Sequence, residues 1–240
     1  MSEETQPNMN CVDAKVVLVG ESGVGKTSII KQFTAHNFDP DCKASISSQF
    51  SSKVVNINDT KKAIRFDLWD TAGQEKYRSL AKIFYKDARI IMFVYEITSK
   101  KSFEGLQNYW YQQVNSCCLP NVIFALVGNK NDLYNNAEVN DEEAMKWADS
   151  IGAIFQTTSA LSNTGIDILF QLVGKKFLNP NFDYKSEEDL KKQQYEKKKE
   201  DQKENKNNDD EDDNIHIPDV QNIKINGKNN NGKNKKKKCC

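Results

Sequence analysis

The sequence predicts an α/β domain that gives way to a long polar tail. Three observations carry that prediction. Nearly continuous apolar runs of strand length recur along the first part of the chain, and segments with helical apolar spacing fall between them. Past Pro180 the composition changes to Lys, Glu, Asp and Asn, with few large apolar residues. A chain of 240 residues has room for one sizeable domain and an appendage of this kind.

In chain order, residues 1–12 are expected to be a flexible lead. The run AKVVLVG (residues 14–20) is apolar at nearly every position, as in a strand buried on both faces of a parallel sheet. GESGVGKTS (residues 20–28) follows it and opens a helical segment. KKAIRFDLWD (residues 61–70) alternates instead, with Ile64, Phe66 and Leu68 on one face. RIIMFVYEI (residues 89–97) and NVIFALVG (residues 121–128) are again continuous runs. Helical spacing appears in Phe103, Leu106, Trp110 and Val114, and in Ile166, Phe170, Val173 and Phe177. Residues 13–179 therefore read as the folded domain, whose ligands should bind beyond the carboxyl ends of the strands. Residues 180–240 read as a disordered tail, too polar to offset the entropy of ordering. Within it Tyr184, Leu190 and Tyr195 are too sparse for a coiled-coil seam.

Formal net charge is zero, but the charges are segregated. Acids crowd into Asp209, Asp210, Glu211, Asp212 and Asp213, and the chain after Asp219 has only lysines as charged residues. The six cysteines are Cys11, Cys42, Cys117, Cys118, Cys239 and Cys240, with no Cys-x-x-Cys spacing and only two histidines in the chain. A structural zinc site or a secreted disulfide framework is not expected. No signal peptide is read at the start, and no apolar run approaches the roughly 20 residues that span a bilayer. These features describe a cytosolic, reduced protein. The ending KNKKKKCC (residues 233–240) by itself is compatible with a disulfide, a metal site, a nucleic-acid arm or a membrane anchor.

Chemistry concentrates at the strand ends. GESGVGKT fits G-x-x-x-x-G-K-[ST] between a strand and a helix, where glycines let backbone N–H groups turn inward around phosphates. Lys26 would supply charge to the β- and γ-phosphates, and the hydroxyl of Thr27 would ligate Mg²⁺. NKND (residues 129–132) follows a buried strand. Its Asp132 carboxylate would accept from the guanine N1–H and 2-amino groups, a pair that adenine does not offer. In WDTAGQE (residues 69–75), Asp70 would hold Mg²⁺ through water, Gly73 would leave room beside a γ-phosphate, and Gln74 would orient an attacking water.

The segments GESGVGKT, WDTAGQE, NKND and TSA (residues 158–160), in this order and spacing, resemble the guanine-nucleotide signature of the Ras superfamily. YRSL (residues 77–80) and the terminal Cys-Cys resemble the Rab branch. NVIFALVGNKNDL and SFEGLQNYW are similar to early-endosomal Rabs, whereas CKASISSQF is closer to the late-endosomal kind. The resemblance implies a single P-loop GTPase domain on a mostly parallel six-stranded sheet, with one antiparallel strand and helices on both faces. It implies a nucleotide site formed by Glu21, Ser22, Gly23, Val24, Gly25, Lys26, Thr27, Ser28, Phe38, Ser45, Gly73, Asn129, Lys130, Asp132, Ser159, Ala160 and Leu161. Phe38 would lie edge-on to the guanine, Asn129 would brace the site, Lys130 would lie along the base, and the Ala160 N–H would meet O6. Catalysis would rest on Gln74 and Lys26, and Mg²⁺ on Thr27, Ser45 and Asp70.

Three positions depart from the pattern. Ser45 replaces a threonine, Ser47 a glycine, and Leu161 a lysine. The resemblance further implies GTP and GDP as substrate and product, an exchange factor, an activating protein, a GDP-dissociation inhibitor, an escort protein and effectors. Cys239 and Cys240 would carry geranylgeranyl groups, placing the protein on the cytoplasmic face of an endosomal or other vesicle membrane, with a cytosolic pool. Other readings are a nucleotide-binding scaffold that barely cycles, an ATP-dependent P-loop enzyme, and a nucleic-acid arm at the lysine-rich end. No base-reading motif accompanies that arm, so no nucleic-acid partner is expected.

Overall fold

The computed structural model describes residues 11–40, 49–71 and 81–185. The elements run β1 (Cys11–Val19), α1 (Lys26–Ala35), β2 (Gln49–Asn56), β3 (Ala63–Asp70), α2 (Ala81–Tyr85), β4 (Ile90–Glu96), α3 (Lys100–Gly105), α4 (Tyr111–Asn115), β5 (Ile123–Asn129), α5 (Asp141–Ser150), β6 (Ile154–Thr157) and α6 (Ile166–Leu178). A π-helical turn, Leu106–Trp110, joins α3 to α4, and a 3₁₀ turn, Asn131–Asn136, follows β5. The strands form one six-stranded sheet in the order β2-β3-β1-β4-β5-β6. Only β2 runs antiparallel, against β3. This is the predicted α/β architecture.

The continuous apolar runs are explained by burial on both faces of the sheet. In β1, Ala14, Val16 and Leu18 enter one core, while Val17 and Val19 enter the other. The first core is closed by Ile29 and Phe33 of α1 and by Ile166, Leu169, Phe170 and Val173 of α6. There the Phe33 and Phe170 rings stack at 3.5 Å, with Phe66 of β3 edge-on to both. The second core holds Tyr85, Phe103, Leu106, Trp110 and Val114, together with Ala144 and Ala148 of α5. Each large side chain so buried contributes about 1.5–3 kcal/mol, which makes these two layers the main source of stability.

Helix ends follow local chemistry. Ser99 caps α3 by accepting from Ser102 N, and Asn140 caps α5 by accepting from Glu143 N at 2.7 Å. Asp141, Glu142 and Glu143 then complement the positive end of α5.

The boundaries differ from the sequence expectation at both ends. Cys11 and Val12, assigned to the flexible lead, belong to β1, where they pair with Ala63 and Ile64. Backbone pairing with β3 carries the strand beyond its apolar run, through residues exposed to solvent. At the other end, Phe182 and Tyr184 pack against the first core. Lys176 Nζ donates to Phe182 O at 2.9 Å, and Lys185 pairs with Asp149 at 2.6 Å. Two aromatics in an otherwise polar stretch suffice to fasten the chain to Lys185. Among the described residues, no helix is long and apolar enough to cross a membrane.

Candidate functional site

Sheet register gathers the motifs at one edge. Asp70, the last residue of β3, lies opposite Leu18 of β1. Asn129 lies opposite Glu96, and Gly128 opposite Thr157. The carboxyl ends of β1, β3, β4, β5 and β6 therefore share a rim. The connection leaving β1 turns toward the first core and that leaving β4 toward the second, which opens a crevice between their ends.

The phosphate loop fills that crevice. Gly20 and Gly25 have φ of 147° and 95°, in the region that glycine adopts without penalty. Space demands glycine too. A Cβ on Gly20 would fall 2.1 Å from Val94 O, and one on Gly25 would fall 2.2 Å from Asn129 Nδ2. Gly25 brings no side-chain cap to α1, so the first-turn N–H groups face the loop. Lys26 Nζ donates to Gly20 O at 2.9 Å and Glu21 O at 2.8 Å. Burial lowers its pKa to about 8, while the nearby Asp70 and Glu21 carboxylates oppose that shift. Thr27 Oγ1 donates to Asp70 Oδ2 at 2.5 Å, so a hydroxyl and a carboxylate converge as hard oxygen donors of the kind Mg²⁺ takes. Thr71 Oγ1 donates to Leu18 O at 2.6 Å and fixes where the chain leaves β3.

A second loop is tied to the first through Asn129. Its buried Nδ2 donates to Val24 O at 2.8 Å, and its Oδ1 accepts from Thr158 Oγ1 at 3.0 Å. Thr158 N donates to Gly128 O, and Asn131 N to Thr158 O, which docks TSA on NKND. Ser159 Oγ donates to Asp132 Oδ1 at 2.5 Å. A carboxylate so held presents acceptors at a fixed place. Lys130 adopts the left-handed conformation (φ 66°, ψ 38°), and its ammonium pairs with the Glu96 carboxylate.

Of the expected site residues, the phosphate loop (Glu21, Ser22, Gly23, Val24, Gly25, Lys26, Thr27, Ser28), Asp70, Asn129, Lys130, Asp132, Ser159 and Ala160 gather along this rim. Phe38 is half-buried against the first core. Leu161 is 59% exposed and Ala160 buried, so the departure at Leu161 places an apolar side chain in solvent. Ser45, Gly73, Gln74, Cys239 and Cys240 lie outside the described residues, as do Ser47 and YRSL.

Sequence reasoning missed three features. Thr71 and Thr158 anchor loops by hydroxyl bonds, yet within WDTAGQE and TSA they read only as flanking residues. Glu96 ends β4 in register with Asn129, a signal available once the strands are aligned. The third is an aromatic row on the surface. Phe50 and Trp69 have ring centroids 5.3 Å apart and Trp69 and Phe84 5.8 Å, with Phe50 56% exposed.

A model of the Ras family matches residues 15–179. The chain belongs to the Ras family, in its Rab branch. It is 38% identical over 164 residues to the human (Homo sapiens) Ras-related protein Rab-22A, covering 68% of this chain and 83% of that protein. The Ras-related protein RABA1c of Arabidopsis thaliana is 36% identical over 156 residues, covering 65% and 71%. Rab-25 of Canis lupus familiaris is 35% identical over 176 residues, covering 73% and 81%. Guanine-nucleotide binding and GTP hydrolysis come to this Rab-type chain at the level of the family. The matched span contains the phosphate loop and the anchor between Asn129 and Thr158.

Proposed function

We propose that this Rab-type chain is a GTP/GDP switch that regulates vesicle trafficking and fusion. The observation that carries the reading is the Asn129 side chain, which bonds the phosphate loop at Val24 and the TSA loop at Thr158 at once. Phosphate recognition and base recognition are thereby built on one rigid unit.

Within that unit each residue has a task. The loop N–H groups of residues 21–27 hold the phosphates, and the Lys26 ammonium, drawn from its carbonyl partners, neutralises the β- and γ-oxygens. Asp132, steadied by Ser159, accepts from the guanine N1–H and 2-amino groups. The Ala160 N–H meets O6, Lys130 lies along the base, and Phe38 borders it. Thr27 and Asp70, with Ser45, would hold Mg²⁺, and the ion would supply positive charge against the phosphates. Gln74 orients the water that attacks the γ-phosphate, with Gly73 leaving room for that group. In Ras, turnover without help is about 10⁻⁴ s⁻¹ and rises about 10⁵-fold with an activating protein. The same slow cycle here calls for an activating protein, and for an exchange factor to release GDP.

Residues 39–50 and 71–85 are the segments that respond to the γ-phosphate. Phe50 belongs to the first segment and Phe84 to the second, and both rings meet Trp69, so this aromatic row would be a surface where effectors read the nucleotide state. Geranylgeranyl groups on Cys239 and Cys240 anchor the protein, since one lipid chain holds a membrane only marginally and two hold it stably. The preceding lysines add about 1 kcal/mol each near an anionic leaflet. An escort protein and a GDP-dissociation inhibitor handle the lipidated form.

The direct test is base selectivity. Asp132→Asn should weaken GDP binding by at least about tenfold and improve xanthosine diphosphate relative to it, because the amide now meets a carbonyl instead of an amino group. An unchanged preference for guanine contradicts the assignment.

A further inference from the structure

The phosphate loop has a second anchor, on the side of the sheet opposite α1. Trp110 is buried in the second core, and its indole Nε1–H donates to Glu21 Oε1 at 3.1 Å. Gly105, a helical turn earlier, approaches the same carboxylate so closely that a Cβ there would lie 3.1 Å from Oε1 and 3.4 Å from Cγ. Between these two residues the helix widens into a π turn, with Tyr111 N donating to Leu106 O. Such single turns insert one residue into a helix and rotate the next turn about its axis, and they recur at functional sites. Across this turn Phe103, Leu106, Trp110 and Val114 all stay in the core, and Trp110 presents its N–H to the loop.

Glu21 therefore works from both of its ends. Its main-chain oxygen accepts from Lys26 Nζ, and its side chain accepts from the tryptophan. A buried indole fixed in an aromatic core is a stiff partner for a loop that must hold its N–H groups in place before phosphate arrives.

We propose that Trp110 is a positioning residue for nucleotide binding: through the Glu21 side chain it holds the phosphate loop in its receptive shape. Its action runs through Glu21, with Trp110 itself buried in the second core. The proposal rests on the GTPase reading only for the choice of ligand.

The test uses the full-length protein loaded with fluorescent GDP. Release is followed with excess unlabelled GDP for Trp110→Phe, which removes the donor and keeps a ring, and for Glu21→Ala, which removes the acceptor. Each should speed release about tenfold, the usual scale for a hydrogen bond to a charged group. The double variant should be no faster than either single one, since both delete the same bond. Glu21→Gln, which keeps an oxygen acceptor, should restore release to within about threefold of wild type, a rescue that a general loosening of the core would not give. Rates that multiply to about a hundredfold in the double variant overturn the proposal, as does release unchanged in Glu21→Ala. A second readout does not depend on the ligand. The Trp110 indole N–H resonance should move when Glu21 becomes Ala in the nucleotide-free protein, and a fixed resonance overturns the coupling. Failure of wild-type protein to bind GDP would strike the GTPase reading instead, leaving that resonance to decide the anchor.

Discussion

Asn129 shows how much function one side chain can organise. Its amide spans the glycine-rich loop after β1 and the TSA loop, and Gly25 leaves just the space it needs. Gly25→Ala is therefore expected to abolish tight nucleotide binding, because it combines φ of 95° with a Cβ 2.2 Å from Asn129 Nδ2. Equilibrium dialysis with GDP checks this. Lys26 carries a second prediction. Burial brings its ammonium to about 8 from an ordinary 10.5. Phosphate oxygens favour the charged form, so below pH 8 binding needs no proton, and above it Lys26 must take one up. GDP affinity should thus be level between about pH 7, where the terminal phosphate is fully ionised, and about pH 8, and fall as pH rises further, by up to about tenfold per unit. Calorimetry in buffers of different ionisation heat should show proton uptake on the alkaline side alone. The motif residues were legible in the sequence because their chemistry is local: a lysine, a hydroxyl, a carboxylate at set spacing. Thr158, Glu96 and Trp110 were not, because their roles arise from strand register and from contacts between segments distant in sequence.

At the scale of elements, legibility followed burial. β1, β4 and β5 are apolar on both sides and stand out as runs, and β3 alternates with Ile64, Phe66 and Leu68 in the core. β2, QFSSKVVN, is an edge strand with a mostly exposed pattern, so no apolar run marks it. The π turn left no sign either, since the spacing of Phe103, Leu106, Trp110 and Val114 reads as an ordinary helix. α6 offers a test of how tightly the first core is packed. Gly174 lies in its interior, and a Cβ there would fall 2.5 Å from Ile57 Cδ1. Alanine would gain about 1 kcal/mol of helix propensity. The buried Ile57 has little freedom to move aside, and overpacking of this kind costs about 1–3 kcal/mol. Gly174→Ala is thus expected to lose about 1 kcal/mol net, with Ile57→Val in the same chain recovering part of it. Urea unfolding of the GDP-bound protein measures both.

The whole chain joins a Rab-type GTPase domain to a polar segment bearing lysines and two cysteines. Replacing Cys239 and Cys240 by serine should release the protein from membranes into the soluble fraction, as cell fractionation would show; retention on membranes would rule out lipid anchoring. Rab-branch membership bears on the folded part, residues 15–179, and that part was readable because its signatures are short, ordered and placed at strand ends. The subgroup was not readable, because CKASISSQF resembles late-endosomal Rabs while NVIFALVGNKNDL and SFEGLQNYW resemble early-endosomal ones. The measurement closest to the central claim is single-turnover hydrolysis, with GTP or ATP, by wild-type and Gln74→Leu protein in the presence of a Rab-directed activating protein. A GTP/GDP switch predicts slow hydrolysis of GTP alone, strong stimulation of the wild type, loss of that stimulation in Gln74→Leu with GTP binding intact, and no turnover of ATP. Normal stimulation of Gln74→Leu, or hydrolysis of ATP in place of GTP, would contradict it.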